Sequence, residues 1–266
     1  MGVLLVNAVV VVAVMVGLWA LSTRTRDPSF VDVWWGLGFV LVAALTASLT
    51  HGAPARKAAV VMLTTLWGCR LAGYLFWRWR TYGPDARYQA MIRHAGDNAD
   101  RFVLTHVFLL QAGLMWVVSL PLQLGQLYPT PSHLTFFNVA GVLLVLFGVA
   151  FEATGDAQLT RFKRDPANQG AVMDRGLWRY TRHPNYFGDT CVWWGLFLVS
   201  ITNGITLLGV IGPIVMTGLL LRYSGAALLE RRLTRSKPGY EDYVARTSAF
   251  VPRRPRSARI DDQETA

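Results

Sequence analysis

The chain has 266 residues, and it is too apolar and too poor in charge for an ordinary soluble domain. Apolar residues make up 53% and charged residues 16%, against roughly 45–50% and 25% in soluble proteins. The net charge of +10 is not accompanied by a recognisable nucleic-acid-binding module. The basic residues flank long apolar blocks instead, which is typical of an integral membrane protein that faces anionic lipid.

Apolar blocks of about 18 residues or more predict helices that span the bilayer, and we expect seven spans. The apolar stretch from Phe187 to Tyr223 is long enough for two of them, with Thr202-Asn203-Gly204 as the turn between. The first block lacks the charged start of a signal peptide, so we expect it to be retained. The other five spans are Gly2–Leu21, Phe30–Thr50, Ala58–Trp77, Phe102–Leu122 and Leu134–Ala153.

The distribution of basic residues predicts the orientation. If the N-terminus lies outside, every Lys and Arg except Arg56, Lys57 and Arg70 falls in a cytoplasmic segment. This bias follows the positive-inside rule. We therefore predict an all-α, polytopic membrane protein with its N-terminus outside and its C-terminus in the cytoplasm. Residues 1–252 form one transmembrane domain and residues 253–266 a polar tail. We expect a bacterial inner membrane, with a functional site that faces the cytoplasm.

Ionisable residues inside the predicted spans are candidates for function, because each is costly to insert without a partner or a cavity. They also have structural interpretations. Glu152 and Asp189 lie near span ends, His106 is suited to a hydrogen bond between helices, and Asp32 and Arg70 could pair with each other.

The densest polar chemistry lies between the fifth and sixth spans, which we interpret as a loop that begins at Gly155. Cations, Asn, Tyr and His beside a membrane are suited to a phosphate-bearing ligand, and a lipid-headgroup patch is the alternative. A Gly-rich nucleotide loop is absent. Cys69 and Cys191 lie in apolar blocks without metal-ligand spacing, so no metal site is predicted.

Four stretches carry a resemblance to known membrane enzymes. They are SFVDVWWGLG at Ser29–Gly38, YGPDARY at Tyr82–Tyr88, GLWRYTRHPNYFGD at Gly176–Asp189, and KPGYEDY at Lys237–Tyr243. They resemble steroid 5α-reductases and the uncharacterised bacterial proteins related to them. The wider superfamily includes sterol reductases and isoprenylcysteine carboxyl methyltransferases. The resemblance covers nearly the whole chain.

The resemblance implies a helical bundle that binds NADPH and reduces the C=C bond of an enone lipid, most simply a 3-oxo-Δ4 steroid. Polarising the carbonyl stabilises the enolate that forms as hydride arrives. Asp32 stands where the family's catalytic glutamate would fall, and it would have to be protonated to donate a hydrogen bond. The family's tyrosine aligns with Trp67, whose indole can donate a hydrogen bond but cannot transfer a proton. Asp32 and Trp67 are therefore the predicted catalytic residues.

The resemblance also implies a set of cofactor-binding residues. Asn185, Tyr186 and Asp189 match the family's cofactor-binding string, and Lys163 stands where the reductases have a phosphate-binding arginine. The predicted cofactor-binding residues are Arg70, Tyr74, Arg78, Asp156, Lys163, Arg179, Arg182, His183, Asn185, Tyr186, Asp189, Glu230 and Tyr240.

Two other functions fit the sequence. The methyltransferase branch uses S-adenosylmethionine and shares the RHPxYxG pattern and an acid just after the last helix, here Glu230, whereas Asn185 and Asp189 favour the reductases. The other alternative, a lipid-binding or transport protein without enzyme activity, is disfavoured because no two-half repeat is visible. The expected partners are a lipid or steroid and the bilayer, with no nucleic acid, and the sequence is compatible with a monomer.

Overall fold

The computed structural model describes residues 2–223, 230, 233–234 and 237–256, and every regular element among them is helical. The first span is close to its predicted bounds, since α1 covers Gly2–Thr25. The described helices continue with α2 (Val31–Leu49), α3 (Pro54–Tyr82), α4 (Ala86–Val118), α5 (Leu120–Leu124), α6 (Phe136–Arg164), α7 (Pro184–Ser200), α8 (Thr206–Arg222) and α9 (Tyr240–Arg246).

Five of these helices, α1, α2, α3, α4 and α6, are long and apolar enough to cross a membrane. They support an integral multi-pass membrane protein and are candidates for the first five predicted spans. The predicted turn between the last two apolar helices is also confirmed, because Asn203 Oδ1 accepts from the backbone of Ile205 and Thr206 at 3.0 and 3.2 Å. Helices α7 and α8 are shorter, so the sixth and seventh spans stay a prediction.

The described chain divides into two compact units. Unit 1 comprises residues 2–145 and 193–215, and unit 2 comprises residues 146–192 and the described residues from 216 onwards. The predicted tail falls largely at residues 257–266, which lie outside the described residues.

Unit 1 is built on a close approach of α2 and α3. A Cβ atom added at Gly36 would lie 2.4 Å from the carbonyl oxygen of Gly68, so only glycine allows the two backbones to come this near. Phe39, Trp67 and Trp193 pack beside this contact, with ring centroids 4.6 to 5.9 Å apart. The three rings are buried, and such aromatic contacts add to the stability of the core.

Arg56 corrects one feature of the predicted topology. The sequence places it in an outside loop, whereas the structure places it in the first turn of α3 with no solvent exposure. Its Nε donates to Gly125 O at 2.7 Å, its Nη1 to Pro131 O at 3.1 Å, and its Nη2 to Tyr128 O. The planar guanidinium has enough donors to satisfy several carbonyls at once, so this arginine fixes the loop after α5.

Unit 2 contains a second correction. The polar loop predicted from Gly155 is helical as far as Arg164, since α6 continues eleven residues past the apolar block that ends at Ala153. The polar residues that follow the block are compatible with a helix in water, so the end of the apolar run does not mark the end of the helix.

The loop after α6 is held by the C-terminal segment of unit 2. Arg182 N donates to Ser248 O at 2.9 Å, Arg253 N donates to Tyr180 O at 2.9 Å, and the Tyr243 hydroxyl donates to Trp178 O at 2.6 Å. The string that carries the family resemblance is therefore fixed by a segment about 65 residues later in the chain.

The orientation can be tested with reporter fusions. Because basic residues are retained on the cytoplasmic side of the membrane, a reporter fused after residue 266 should be cytoplasmic. A reporter inserted within residues 124–132 should be external. Alkaline phosphatase and fluorescent-protein fusions measure the two locations, and the reverse pattern would contradict the predicted topology.

Candidate functional site

A polar cluster lies at the start of α2 in unit 1. Asp32 is in the first turn of α2, and its Oδ1 accepts a hydrogen bond of 2.6 Å from the hydroxyl of Tyr88. Arg87 Nη2 lies 3.4 Å from Asp32 Oδ2. The Asp32 side chain is 22% exposed and Tyr88 is buried. Of the two contacts, the one from Tyr88 is the short hydrogen bond and the one from Arg87 is a longer ion pair.

Gln111 extends this cluster along α4. Its Nε2 lies 3.4 Å from the Tyr88 oxygen, and its Oε1 is buried without a hydrogen-bond partner in the part of the chain that the structure describes. A π turn at Leu104–Leu109 ends two residues before Gln111, and such turns are frequent at functional sites.

Sequence reasoning did not identify Tyr88 as a site residue, although Tyr88 closes the YGPDARY string that contributed to the resemblance. The feature that could have identified Tyr88 is its place in this string, which joins the end of α3 to the start of α4. A contact between residues 56 positions apart could not be inferred from spacing alone.

Asp85 holds Arg87 in its position next to Asp32. It caps α4 by accepting from Arg87 N at 2.9 Å, and it also pairs with the Arg87 side chain at 3.0 Å. Burial acts to raise the pKa of the Asp85 carboxyl, but the hydrogen bonds and charge of Arg87 and the charge of Arg78 outweigh it and lower that pKa. Asp85 therefore stays ionised near neutral pH and holds Arg87 beside Asp32.

The structure does not place Trp67 at the same level as Asp32. Trp67 packs on Phe39 at 5.9 Å, and Phe39 follows Asp32 by seven residues, which is about 10 Å along a helix. The structure thus brings Asp32 together with Tyr88, and Trp67 together with Phe39 and Trp193.

The other predicted residues of α3 lie along one side of the helix. Arg70 lies over the ring of Tyr74, with its Cζ atom 5.9 Å from the ring centroid, and residues four apart share a helix face. Arg78 lies one turn further on and is 4.0 Å from Asp85. These three residues continue from the buried core towards the Asp32 cluster.

His106 is on the same helix as Gln111 but takes no part in this cluster. It is exposed, its ring stacks on Phe102 at 4.2 Å, and its Nδ1 lies 2.8 Å from Thr105 Oγ1. These contacts are within one helix, and the described residues include no hydrogen bond from His106 to another helix.

A second cluster lies in unit 2, at the start of α7. His183 Nε2 lies 2.7 Å from Glu230 Oε1, and Arg182 Nε lies 3.4 Å from the same oxygen. The ring of His183 stacks on Tyr186 with centroids 5.3 Å apart. Four of the predicted cofactor-binding residues are therefore adjacent. Asn185 and Asp189 follow on the first turns of α7, where Asn185 is half-buried and Asp189 is buried.

The pKa values of two groups near His183 are shifted. Burial acts to raise the pKa of Glu230, but the hydrogen bond with His183 and the charge of Arg182 outweigh it and lower that pKa. Burial and the neighbouring Glu230 raise the pKa of the Tyr240 hydroxyl to about 12. Glu230 is therefore an anion and Tyr240 a neutral donor near neutral pH.

Acid should weaken this second cluster. A lowered folded-state pKa means that Glu230 stabilises the fold above its ordinary value of 4.5, and that the stabilisation is lost as the pH falls through the lower value. We expect the thermal unfolding midpoint of the Glu230→Gln variant to fall less than that of the wild type on acidification below about pH 4.5. The exposed Glu241→Gln variant is the control, and identical pH profiles for wild type and Glu230→Gln would contradict the role of Glu230.

The end of α6 borders a cavity with a volume of about 320 Å³. Lys163, Arg164 and Lys237 line it together with Asn168 and Gln169. Asp165 is also in the lining, but three cations and two amides outnumber this one acid and form a donor set that is suited to phosphate oxygens. Asp156 is buried two turns earlier on α6, and Arg179 is exposed in a short 3₁₀ turn and does not line the cavity.

Comparisons with known proteins give a consistent family relationship. The family described as "Protein of unknown function (DUF1295)" matches residues 18–247. An uncharacterized protein of Schizosaccharomyces pombe is 23% identical over 263 residues, covering 89% of this chain and 76% of the relative. A Delta(14)-sterol reductase of Ascobolus immersus is 31% identical over 112 residues, covering 36% of this chain and 26% of the reductase. No solved structure is significantly similar to the chain.

Proposed function

We propose that this chain, which belongs to the DUF1295 family, reduces a C=C bond of a membrane lipid with NADPH. The chain's partial similarity to a sterol reductase supports a reductase-like membrane enzyme. The observation that carries the proposal is the Asp32–Tyr88 pair. A carboxyl and a phenol 2.6 Å apart, at the start of an apolar helix, form a proton-carrying group in a place where polar groups are costly.

The substrate that suits this pair is an enone lipid, and a 3-oxo-Δ4 steroid is the simplest probe. Reduction adds a hydride to the β-carbon and leaves negative charge on the carbonyl oxygen, and a hydrogen-bond donor near that oxygen stabilises this charge. Tyr88 is held between Asp32 and Gln111, and its phenol can both donate a hydrogen bond and transfer a proton. Tyr88 is therefore the candidate for the donor to the carbonyl oxygen, because the indole of Trp67 cannot transfer a proton.

The donor set of unit 2 fits the proposed cofactor. NADPH would supply the hydride, and its phosphate groups require cations and amide donors. Lys163, Arg164 and Lys237 would hold a phosphate at the α6 cavity. His183, Tyr186 and Asn185 offer stacking and hydrogen-bonding groups at α7.

NADPH should therefore bind more tightly than NADH. We expect Lys163→Ala to weaken NADPH binding about tenfold, the effect of losing one charge-assisted hydrogen bond, and to change NADH binding little. Nucleotide fluorescence titration of the solubilised protein measures both affinities. Arg175→Ala, an exposed arginine of the same loop that does not line the cavity, is the control. Equal losses for both nucleotides would contradict a site for the additional phosphate.

The methyltransferase alternative is favoured by one observation, the His183–Glu230 contact of 2.7 Å, because it joins the RHPxYxG string to the acid that this branch shares. Saturable S-adenosylmethionine binding without NADPH binding would assign the chain to that branch.

The experiment that tests the proposed function is NADPH oxidation by the purified protein with testosterone or progesterone. The expected product is the 5α-reduced steroid, identified by its mass and retention time. Absence of steroid-dependent oxidation, despite NADPH binding, would exclude 3-oxo-Δ4 steroids as substrates.

A further inference from the structure

The first ten residues of α4, Ala86–Ala95, form a helical segment of their own. Gly96 follows with a φ of 55° and a ψ of −129°, so the helix is interrupted before a short 3₁₀ turn at Gly96–Asn98. The main backbone contacts of the segment are with this turn and with the residues after it, up to Val103. Tyr88 is the only buried residue of the segment. The segment is therefore attached to the other helices of unit 1 largely through one side chain.

A glycine with an unusual backbone angle stands at each end of this segment. Gly83 precedes it with a φ of 78°, and Gly96 follows it with a φ of 55°. A Cβ atom added at either glycine would meet no atom within 4 Å, so close packing does not require glycine there. The backbone angles do require it, because residues with a side chain rarely adopt a positive φ. The chain can therefore rotate at both glycines with little steric resistance from neighbouring elements.

A small set of polar contacts holds the segment against the start of α2. The Tyr88 hydroxyl donates to Asp32 Oδ1 at 2.6 Å, and Arg87 Nη2 lies 3.4 Å from Asp32 Oδ2. Arg78 pairs with Asp85 at 4.0 Å. The arginine side chains are 49% and 43% exposed, and ion pairs that water screens contribute little to stability. The hydrogen bond from the buried Tyr88 is therefore the main polar contact that keeps Asp32 covered.

We propose that residues 84–95, here called the strap, are a gate that opens at Gly83 and Gly96 and lets ligands from the cytoplasm reach Asp32. A segment with one buried side chain and exposed ion pairs opens at a small cost in free energy, as lids over functional sites do. Opening separates Tyr88 from Asp32, and closing brings the two side chains together again. The importance of this pair for catalysis rests on the proposed function, whereas the movement does not.

Carboxyl labelling measures how often the strap is open, without NADPH and without steroid. The full-length protein in lipid nanodiscs is treated with a water-soluble carbodiimide and glycine ethyl ester. Peptide mass spectrometry follows the labelling of Asp32 relative to that of the exposed Glu241. Tyr88→Phe should raise the labelling rate of Asp32 about tenfold, the effect of losing one buried hydrogen bond. Tyr82→Phe is the matched control, because it makes the same change at a tyrosine that is 58% exposed.

A second variant opens the strap and leaves the Tyr88 hydroxyl intact. Alanine disfavours the φ of 55° at Gly96, so Gly96→Ala should also raise Asp32 labelling about tenfold. Gly170→Ala is the matched control, since Gly170 has a φ of 80° and open surroundings but belongs to unit 2. Hydrogen exchange of the strap amides should become faster in Tyr88→Phe and in Gly96→Ala, while exchange in the middle of α3 stays unchanged.

Equal Asp32 labelling in the wild type and in both strap variants would overturn the gate. Wild-type labelling of Asp32 as fast as that of Glu241 would do so too. A rise in Tyr88→Phe alone would show a local effect of the phenol on the carboxyl group, and the gate would again be wrong. Strap-dependent labelling without NADPH oxidation would leave the gate in place and overturn the proposed reductase activity. Steroid turnover with labelling that neither variant changes would do the opposite.

Discussion

Replacing Asp32 with asparagine is expected to lower steroid-dependent NADPH oxidation about 100-fold or more, the usual scale for losing one group that stabilises a developing oxyanion. Asparagine keeps the size of the side chain and can hydrogen-bond to Tyr88, but it cannot carry a proton to the substrate. Asp32→Leu should be worse, because it also removes the acceptor of the 2.6 Å hydrogen bond from Tyr88.

Neither Asp32 variant should change NADPH affinity, because the phosphate contacts proposed for NADPH lie in unit 2. The exposed Asp97→Asn variant is the matched control for loss of one negative charge. If Asp32 is only structural, both variants should instead unfold at lower temperature while the surviving protein keeps its turnover. Full activity in both variants would remove Asp32 from the mechanism.

Replacing Arg56 with methionine is expected to destabilise unit 1 by about 3 kcal/mol or more, because three backbone carbonyls lose their donor at once. Methionine fills much of the volume but leaves the carbonyls of Gly125, Tyr128 and Pro131 without their donor, and each unsatisfied buried group costs roughly 1–3 kcal/mol. Arg56→Lys should be intermediate, because an ammonium group cannot reproduce the planar fork.

Thermal unfolding in detergent, followed by tryptophan fluorescence, measures the effect of the Arg56 variants. Lys57→Met is the control, since Lys57 carries the same charge on the next residue and its ammonium group donates to Thr50 O at 2.6 Å. An Arg56→Met protein as stable as the Lys57→Met protein would show that the three carbonyls find other donors.

The sequence was sufficient to predict features that depend on local composition. The first five apolar blocks lie on helices, because apolar runs of this length favour helices that satisfy their own backbone groups. The fourth helix begins at Ala86, sixteen residues before the predicted span. The turn at Asn203-Gly204 was predictable because the asparagine side chain mimics a backbone turn. The end of α6 was not predictable from the sequence, because a polar stretch can form either a loop or a helix that extends into water.

The candidate site was predictable only in part. Asp32 was identified because a carboxyl group in an apolar span is conspicuous. Its partner Tyr88 was not, because their contact depends on how the segment after Tyr82 folds back at Gly83, whose φ of 78° is the kind that favours glycine. Arg56 was placed in a loop because charge alone does not reveal three buried carbonyls supplied by residues 69 to 75 positions later.

The hydrogen bonds that join residues 178–182 of unit 2 to residues 243–253 have a consequence for biosynthesis. While the ribosome is still adding the last of these residues, the loop that carries Trp178, Tyr180 and Arg182 lacks its partners. This part of unit 2 is therefore completed after synthesis of residue 253, when the preceding helices have already been delivered to the membrane. A stop codon before residue 243 would leave an inserted protein whose RHPNY string has never been fixed in place.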